Sequence, residues 1–326
     1  MTSFYADAAH ERFTNRVNEL HLLDQIAEDL RRGLPRHVAL FGLRLIGKTL
    51  LCQEQVQRLV RRGEVLPVYM DFEDICTAPE LFAQRYVGLV CFWAFAGGRG
   101  VIGDYLHAER LLRTPAARSQ LVVQTVSTII SEGSRQKADV GLLLTLAFDF
   151  PEQLAQEIGR PIVCFLDEFT ELFTLVNFPG IGDPLKHFRA SMQRQSRVAY
   201  VVAGSAISAM ERLIRDHESP LFLQFRPLEL HPLTSEDTQA LVEKVVDGAL
   251  TPAVHAAIFA YTYGHPFYAI ALGERLREMA ADPATTTPEQ VGQAFLLEAL
   301  SARGQIYSYC RYLFQYPTRA TGPRFA

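Results

Sequence analysis

The chain has 326 residues, a formal net charge of -4 and a pI near 6.2, so no global basic field draws it onto nucleic acid or anionic lipid. Hydrophobic residues make up 48% and charged residues 21%, a balance that excludes a disordered or fibrous chain. The length exceeds the roughly 150 residues typical of one domain, so a large α/β domain with a smaller companion is expected.

A helix is predicted over 18–30, where leucines and an isoleucine recur at helical spacing ahead of Arg31-Arg32-Gly33. The apolar run 37–41, bounded by Pro35 and Gly42, suits a buried parallel strand. From Thr49 the pattern turns helical and closes at Gly63, and 65–72 reads as a second strand. Residues 77–158 read as a long helical insertion broken near 97–100, 114–115 and 133. Its apolar runs, 86–96 and 140–148, are shorter than the roughly 20 residues that span a bilayer, so no membrane segment is expected. Strands follow at 161–168 and 198–205, with a fifth at 227–230, and alternating strands and helices imply a parallel sheet covered on both faces. Beyond Pro232 the texture is helical only: an N-cap cluster at 234–237 is followed by the helical run 240–246, and helices are expected at 253–261, 267–279 and 288–313. The division read from this is 1–233 and 234–326.

The N-terminus, M-T-S-F-Y-A-D-A-A-H-E-R, has acidic residues and lacks the apolar segment of a leader, which makes the cytoplasm the default compartment. Cys52, Cys76, Cys91, Cys164 and Cys310 form no C-x-x-C pair, so they read as reduced, mostly buried small residues rather than a zinc site.

The chemistry concentrates in G-L-R-L-I-G-K-T, which matches the phosphate-loop pattern G-x-x-x-x-G-K-[ST]. Gly42 and Gly47 let the backbone turn tightly, so that the N–H groups of Leu43, Arg44, Leu45, Ile46, Lys48, Thr49 and Leu50 can converge on phosphate oxygens at a helix N-terminus. Lys48 would reach the β- and γ-phosphates, and Thr49 would offer its hydroxyl to Mg²⁺. A chain of this length matches the pattern by accident with a probability on the order of one in a hundred, and its place between a strand and a helix lowers that further.

Asp167 and Glu168 end an apolar strand at the edge where open α/β sheets bind ligands. This has Walker B form: Asp167 would hold Mg²⁺ through a water and Glu168 would polarise the attacking water, although a strand ending in two acids is also a common solvated turn. Ser205, closing the next strand, is a candidate polar sensor of the γ-phosphate, or simply the small residue of a tight turn.

Taken together, E-R-F-T-N-R-V-N-E-L (11–20), G-L-R-L-I-G-K-T, F-L-D-E-F-T-E-L (165–172), V-V-A-G-S (201–205), S-P-L-F (219–222) and G-H-P-F-Y (264–268) resemble the archaeal-type ATPases of the STAND branch, relatives of AAA+ proteins in the P-loop superfamily. The resemblance covers nearly the whole chain. It implies an ASCE-type P-loop fold with a small helical lid, ATP as the nucleotide, and Phe13 and Arg16 near the adenine end. Asn15 replaces the glycine usual before that arginine, and Phe13 is also compatible with a hydrophobic staple. By the same resemblance Arg226 is a candidate phosphate contact or a surface ion pair, and His265 either approaches the nucleotide or serves in capping. Relatives commonly continue into a winged-helix or nuclease-like region; here 312–326 reads as a truncated or unstructured tail, which removes the support for a DNA role carried by such a region.

Three functions are compatible with this reading. One is a slow Mg²⁺-dependent ATPase acting as a conformational switch, with an unidentified protein partner and nucleotide-dependent self-association. The others are a non-catalytic nucleotide-binding scaffold or regulator, and a DNA-associated ATPase by family analogy.

Overall fold

The helix α1 (Val17–Arg31) buries Leu20, Leu23, Ile26, Ala27 and Leu30 on one stripe, as its periodicity requires. Every residue of β1 (Val38–Gly42) is buried, the signature of a central parallel strand. Helix α2 (Lys48–Arg62) follows and stops at Gly63, whose φ of 73° ends it in the left-handed region. The computed structural model describes residues 11–279 and 282–315; the N-terminal stretch read for a leader lies largely outside them, and of the 312–326 tail read as unstructured, 312–315 are helical while 316–326 lie outside the described residues.

Strand β2 (Leu66–Asp71) leads into the 77–158 segment, which forms α3 (Pro79–Ala96), α4 (Gln120–Gly133) and α5 (Val140–Glu157), with single helical turns between the first two. Breaks fall where the sequence places them, and Ser119 and Asp139 cap α4 and α5 with their side chains. This segment is no separate module. Phe82 and Tyr86 of α3 and Phe148 of α5 pack as rings on one another and, through Phe188, on Tyr200 of the sheet, with centroid separations of 4.9–5.6 Å. It is the enlarged crossover between two adjacent strands.

Beyond it come β3 (Ile162–Asp167), α6 (Pro184–Met192), β4 (Val198–Gly204), α7 (Ile207–Arg215) and β5 (Arg226–Leu230). Helices α6 and α7 are short, with nine residues each, and the sequence reading assigned neither. All neighbouring strands are parallel, in the order β2-β3-β4-β1-β5. β1 and β3 are therefore not neighbours; β4 runs between them. β5 is an edge strand with largely exposed residues, and Pro227 on it blunts further pairing.

The remaining elements are α8 (Ser235–Val246), α9 (Pro252–Thr262), α10 (Pro266–Met279), α11 (Pro288–Leu300) and α12 (Gln305–Gln315). Their buried residues, from Leu233 to Ala294, form a second hydrophobic core. The single helix expected over 288–313 is two. The chain turns at Gly304, where any Cβ would lie 2.1 Å from the Glu298 carbonyl oxygen, and the Glu298 carboxylate receives the Gln305 N–H at 2.6 Å. Among the described residues no helix is long and apolar enough to cross a membrane.

Candidate functional site: a glycine-bounded loop between the sheet and the helical region

The loop between β1 and α2 is shaped by backbone positions that few residues tolerate. Gly47 precedes α2 at φ 102°, and no side chain caps the N-terminus of this helix among the described residues. A Cβ on Gly42 would come within 2.6 Å of the Leu230 carbonyl oxygen on β5. Ile46 is buried, whereas Leu43, Arg44, Leu45 and Thr49 are exposed and Leu50 is half-buried. Leu45 occupies the left-handed region at φ 62°.

Lys48 is only 4% exposed, and its Nζ donates to the carbonyl oxygens of Gly42 (3.1 Å) and Leu43 (3.0 Å). Burial pulls its ammonium below the usual lysine range, while Glu168 and Asp167 act in the opposite direction. The amine is thus hydrogen-bonded to its own loop and lies within electrostatic range of Asp167 and Glu168.

Asp167 is buried at the end of β3, where Tyr69 donates its hydroxyl to Oδ2 (2.9 Å) and the Glu168 N–H meets Oδ1 (3.0 Å). Glu168 stands at φ 45°, ψ 45°, a left-handed conformation uncommon for a non-glycine residue. Ser205 holds its carboxylate twice: Oγ donates to Oε1 at 2.6 Å and the backbone N–H to Oε2 at 3.3 Å. The strand order explains this meeting, because β4 delivers Ser205 beside the acid of β3.

Two further groups brace the loop. Arg16 donates to the Ile46 carbonyl (3.3 Å) and pairs with Glu19 (3.4 Å). Burial lowers its pKa. Asn15 and Arg16 both have positive φ, 56° and 64°, so asparagine stands at a position that favours glycine; it is among the few other residue types that tolerate this region. Asn15 also donates to Asp237 of α8. From the helical side, His265 Nε2 donates to the Arg44 carbonyl at 3.2 Å, and its buried Nδ1 has no partner among the described residues. Burial depresses its pKa. The Arg44 guanidinium lies over the ring of Tyr312 on α12, 5.0 Å from its centroid. The 42–49 loop is thus held from both cores.

Phe13 packs against the sheet-side core and gives its carbonyl to Lys244 at 2.7 Å; with Arg16 preceding α1, it does not occupy the position of a hydrophobic staple. Arg226 corrects an expectation. The β1–β5 register pairs it with Val38, while Gly42 pairs with Leu230. Four residues of strand, about 13 Å, separate the levels of Arg226 and the loop, so Arg226 sits exposed at the opposite edge and does not reach this chain's own phosphate loop.

Sequence reasoning passed over Tyr69, Asp71, Lys244 and Tyr312. The one local signal was a tyrosine on a buried strand, whose hydroxyl needs a partner. Asp71 pairs in register with Asp167, and burial, reinforced by the Asp167 charge, pushes its carboxyl up to about 7. The folded state binds this proton more tightly than the unfolded chain, so the stability it contributes is complete below the ordinary carboxylate pKa of 3.8 and is lost as pH rises through about 7. Asp71→Asn keeps an acceptor for the Glu73 N–H that Asp71 caps. Its unfolding free energy without Mg²⁺ is expected to exceed that of the wild type increasingly between pH 5 and 8, by ~1–2 kcal/mol after allowance for partial solvent screening, read as a widening gap in melting temperature. A constant difference across that range would rule out the shifted carboxyl.

No family model matches this chain, and no curated protein matches it. Solved structures do. A Walker-type ATPase of Pyrococcus abyssi superposes with a TM-score of 0.60 at 15% identity, covering 94% of this chain and 77% of that one. The ORC2 protein of Aeropyrum pernix, in its ADPNP–ADP complexes, gives 0.50 at 16% identity over 88% of this chain and 72% of that one. The Drosophila ORC bound to DNA gives 0.50 at 13% over 93% and 70%. At these identities the likeness is one of fold: the chain has the P-loop ATPase fold, a five-stranded parallel sheet flanked by helices with a helical C-terminal region.

Proposed function

We propose that this protein is an ATP-binding conformational switch of the STAND/AAA-like type, with a P-loop domain over 1–233, a helical lid over 234–326, and slow Mg²⁺-dependent hydrolysis of ATP to ADP and phosphate in the cytoplasm. The observation that carries this reading is the convergence of Lys48, Asp167, Glu168 and Ser205 at one sheet edge, beneath a phosphate loop that His265 and Tyr312 contact from the helical side. Lys48 grips the β- and γ-phosphates, Glu168 is the general base, and Ser205 positions it. Phe13 and Arg16 lie toward the adenine, which the resemblance to archaeal-type ATPases supports.

Mg²⁺ suits the donors present. Thr49 and Asp167 offer hard oxygens, and a phosphate-site Mg²⁺ takes one or two protein ligands plus phosphate and water. Bound Mg²⁺ would neutralise charge on the transferring phosphate.

A switch must bind its two nucleotide states differently. The loop carbonyl of Arg44 is the natural reporter, because phosphate that draws the loop's N–H groups inward also moves the acceptor of His265 and the guanidinium on Tyr312. Thermal melting with Mg²⁺ and ATP, ADP or a non-hydrolysable analogue, alongside a phosphate-release assay, tests this. The analogue at 100 times its Kd is expected to stabilise by about 2.7 kcal/mol, several degrees, with a different shift for ADP. Equal shifts for all three with no phosphate released would establish the non-catalytic scaffold instead.

A further inference from the structure

The acid of β3 is held by a residue from the neighbouring strand. In the parallel β2–β3 register Tyr69 lies opposite Phe165 and Asp71 opposite Asp167. Side chains alternate along a strand, so Tyr69, Asp71, Phe165 and Asp167 share one face, and a tyrosine reaches diagonally to the residue two positions ahead on its neighbour. This is the observed contact, Tyr69 Oη to Asp167 Oδ2 at 2.9 Å between residues that are both at most 5% exposed.

Two features make the contact, in which the Tyr69 hydroxyl donates to the carboxylate, directional. The second oxygen of Asp167 is taken by the Glu168 N–H, so each oxygen has one donor and rotation of the carboxylate is arrested. Tyr69 is itself pinned: the indole N–H of Trp93, buried in α3, donates to its carbonyl at 3.0 Å. A chain of hydrogen bonds thus runs from the enlarged crossover, through β2, to the acid at the sheet edge.

We propose that Tyr69 is a positioning residue for the Mg²⁺ site, fixing Asp167 in the orientation in which its remaining lone pairs accept metal-bound water. This rests on the assignment of Asp167 to Mg²⁺ made above. Partners that orient metal-binding carboxylates are commonly worth 10–100-fold in metal affinity, whereas a hydroxyl that only satisfies a buried acid would affect stability alone.

The test measures binding of a fluorescent non-hydrolysable ATP analogue across a Mg²⁺ series for the wild type and Tyr69→Phe, which preserves the ring. Without Mg²⁺ the two should bind nucleotide within about twofold, and the Mg²⁺ concentration for half-maximal tightening should rise at least about tenfold in the variant. An unchanged Mg²⁺ requirement in Tyr69→Phe would overturn the proposal, whatever its melting temperature. The same substitution in an Asp167→Asn background, which carries no buried charge to strand, should add nothing further to the loss of Mg²⁺ dependence; additional weakening there would mean that Tyr69 does not act through Asp167. Nucleotide binding that is independent of Mg²⁺ in the wild type would remove the Mg²⁺ assignment itself and the role of Tyr69 with it, whereas normal dependence in both proteins would remove only the latter.

Discussion

Lys48→Ala should bind adenine nucleotide at least about 30-fold more weakly than the wild type. The ammonium stands at the start of α2, donates to two loop carbonyls and lies within electrostatic range of the two acids that follow one another at the end of β3. Truncating one partner of a desolvated charge pair costs about 2–5 kcal/mol, a loss of roughly 30- to several thousand-fold in affinity. Its burial means the free protein holds this cation at an energetic cost, which alanine relieves while leaving the Gly42 and Leu43 carbonyls without a donor. Those effects oppose each other, so the unliganded variant should melt within a few degrees of the wild type. Calorimetric titration on a variant shown to be folded makes the comparison; retained binding within tenfold would mean that the loop does not grip phosphate through Lys48.

Glu168→Gln separates binding from turnover. The amide oxygen can still accept from Ser205 Oγ, and the contacts of Asp167 and Lys48 are untouched, so ATP affinity should stay within about threefold. What is lost is the basic oxygen. Removing a general base typically costs 10²–10⁴ in rate, so phosphate release under saturating ATP and Mg²⁺ should fall by about that factor. The left-handed backbone of Glu168 suits glutamine no worse, which makes misfolding an improbable route to the same result. Turnover equal to the wild type would defeat the assignment of Glu168 as the base.

How far this site can be read from the chain depends on the range of each contact. The phosphate loop is contiguous and its glycines answer to local backbone geometry, so eight residues specify it. Asp167-Glu168 and Ser205 are legible as a group because a strand that leaves the core must end on something, and parallel sheets put those ends at one edge. Tyr69 and Asp167 are 98 residues apart, and His265 and Arg44 are 221 apart; no periodicity carries such pairs. Arg226 failed for the same reason in reverse. Near S-P-L-F in sequence, it is carried to the far edge by the register of β5 on β1.

Composition, hydrophobic period and glycine placement thus determined that this chain builds a parallel α/β sheet, where its strands end, and that a loop of G-x-x-x-x-G-K-[ST] pattern joins the first strand to its helix. Those are short-range consequences of burial and backbone freedom. Tertiary structure alone decided that β4 stands between β3 and β1 and so gives Ser205 to Glu168, that Tyr69 steadies Asp167, and that the helical region closes on Arg44 from outside. These depend on which surfaces come together when both cores form, information spread over the whole chain rather than held in any one segment of it.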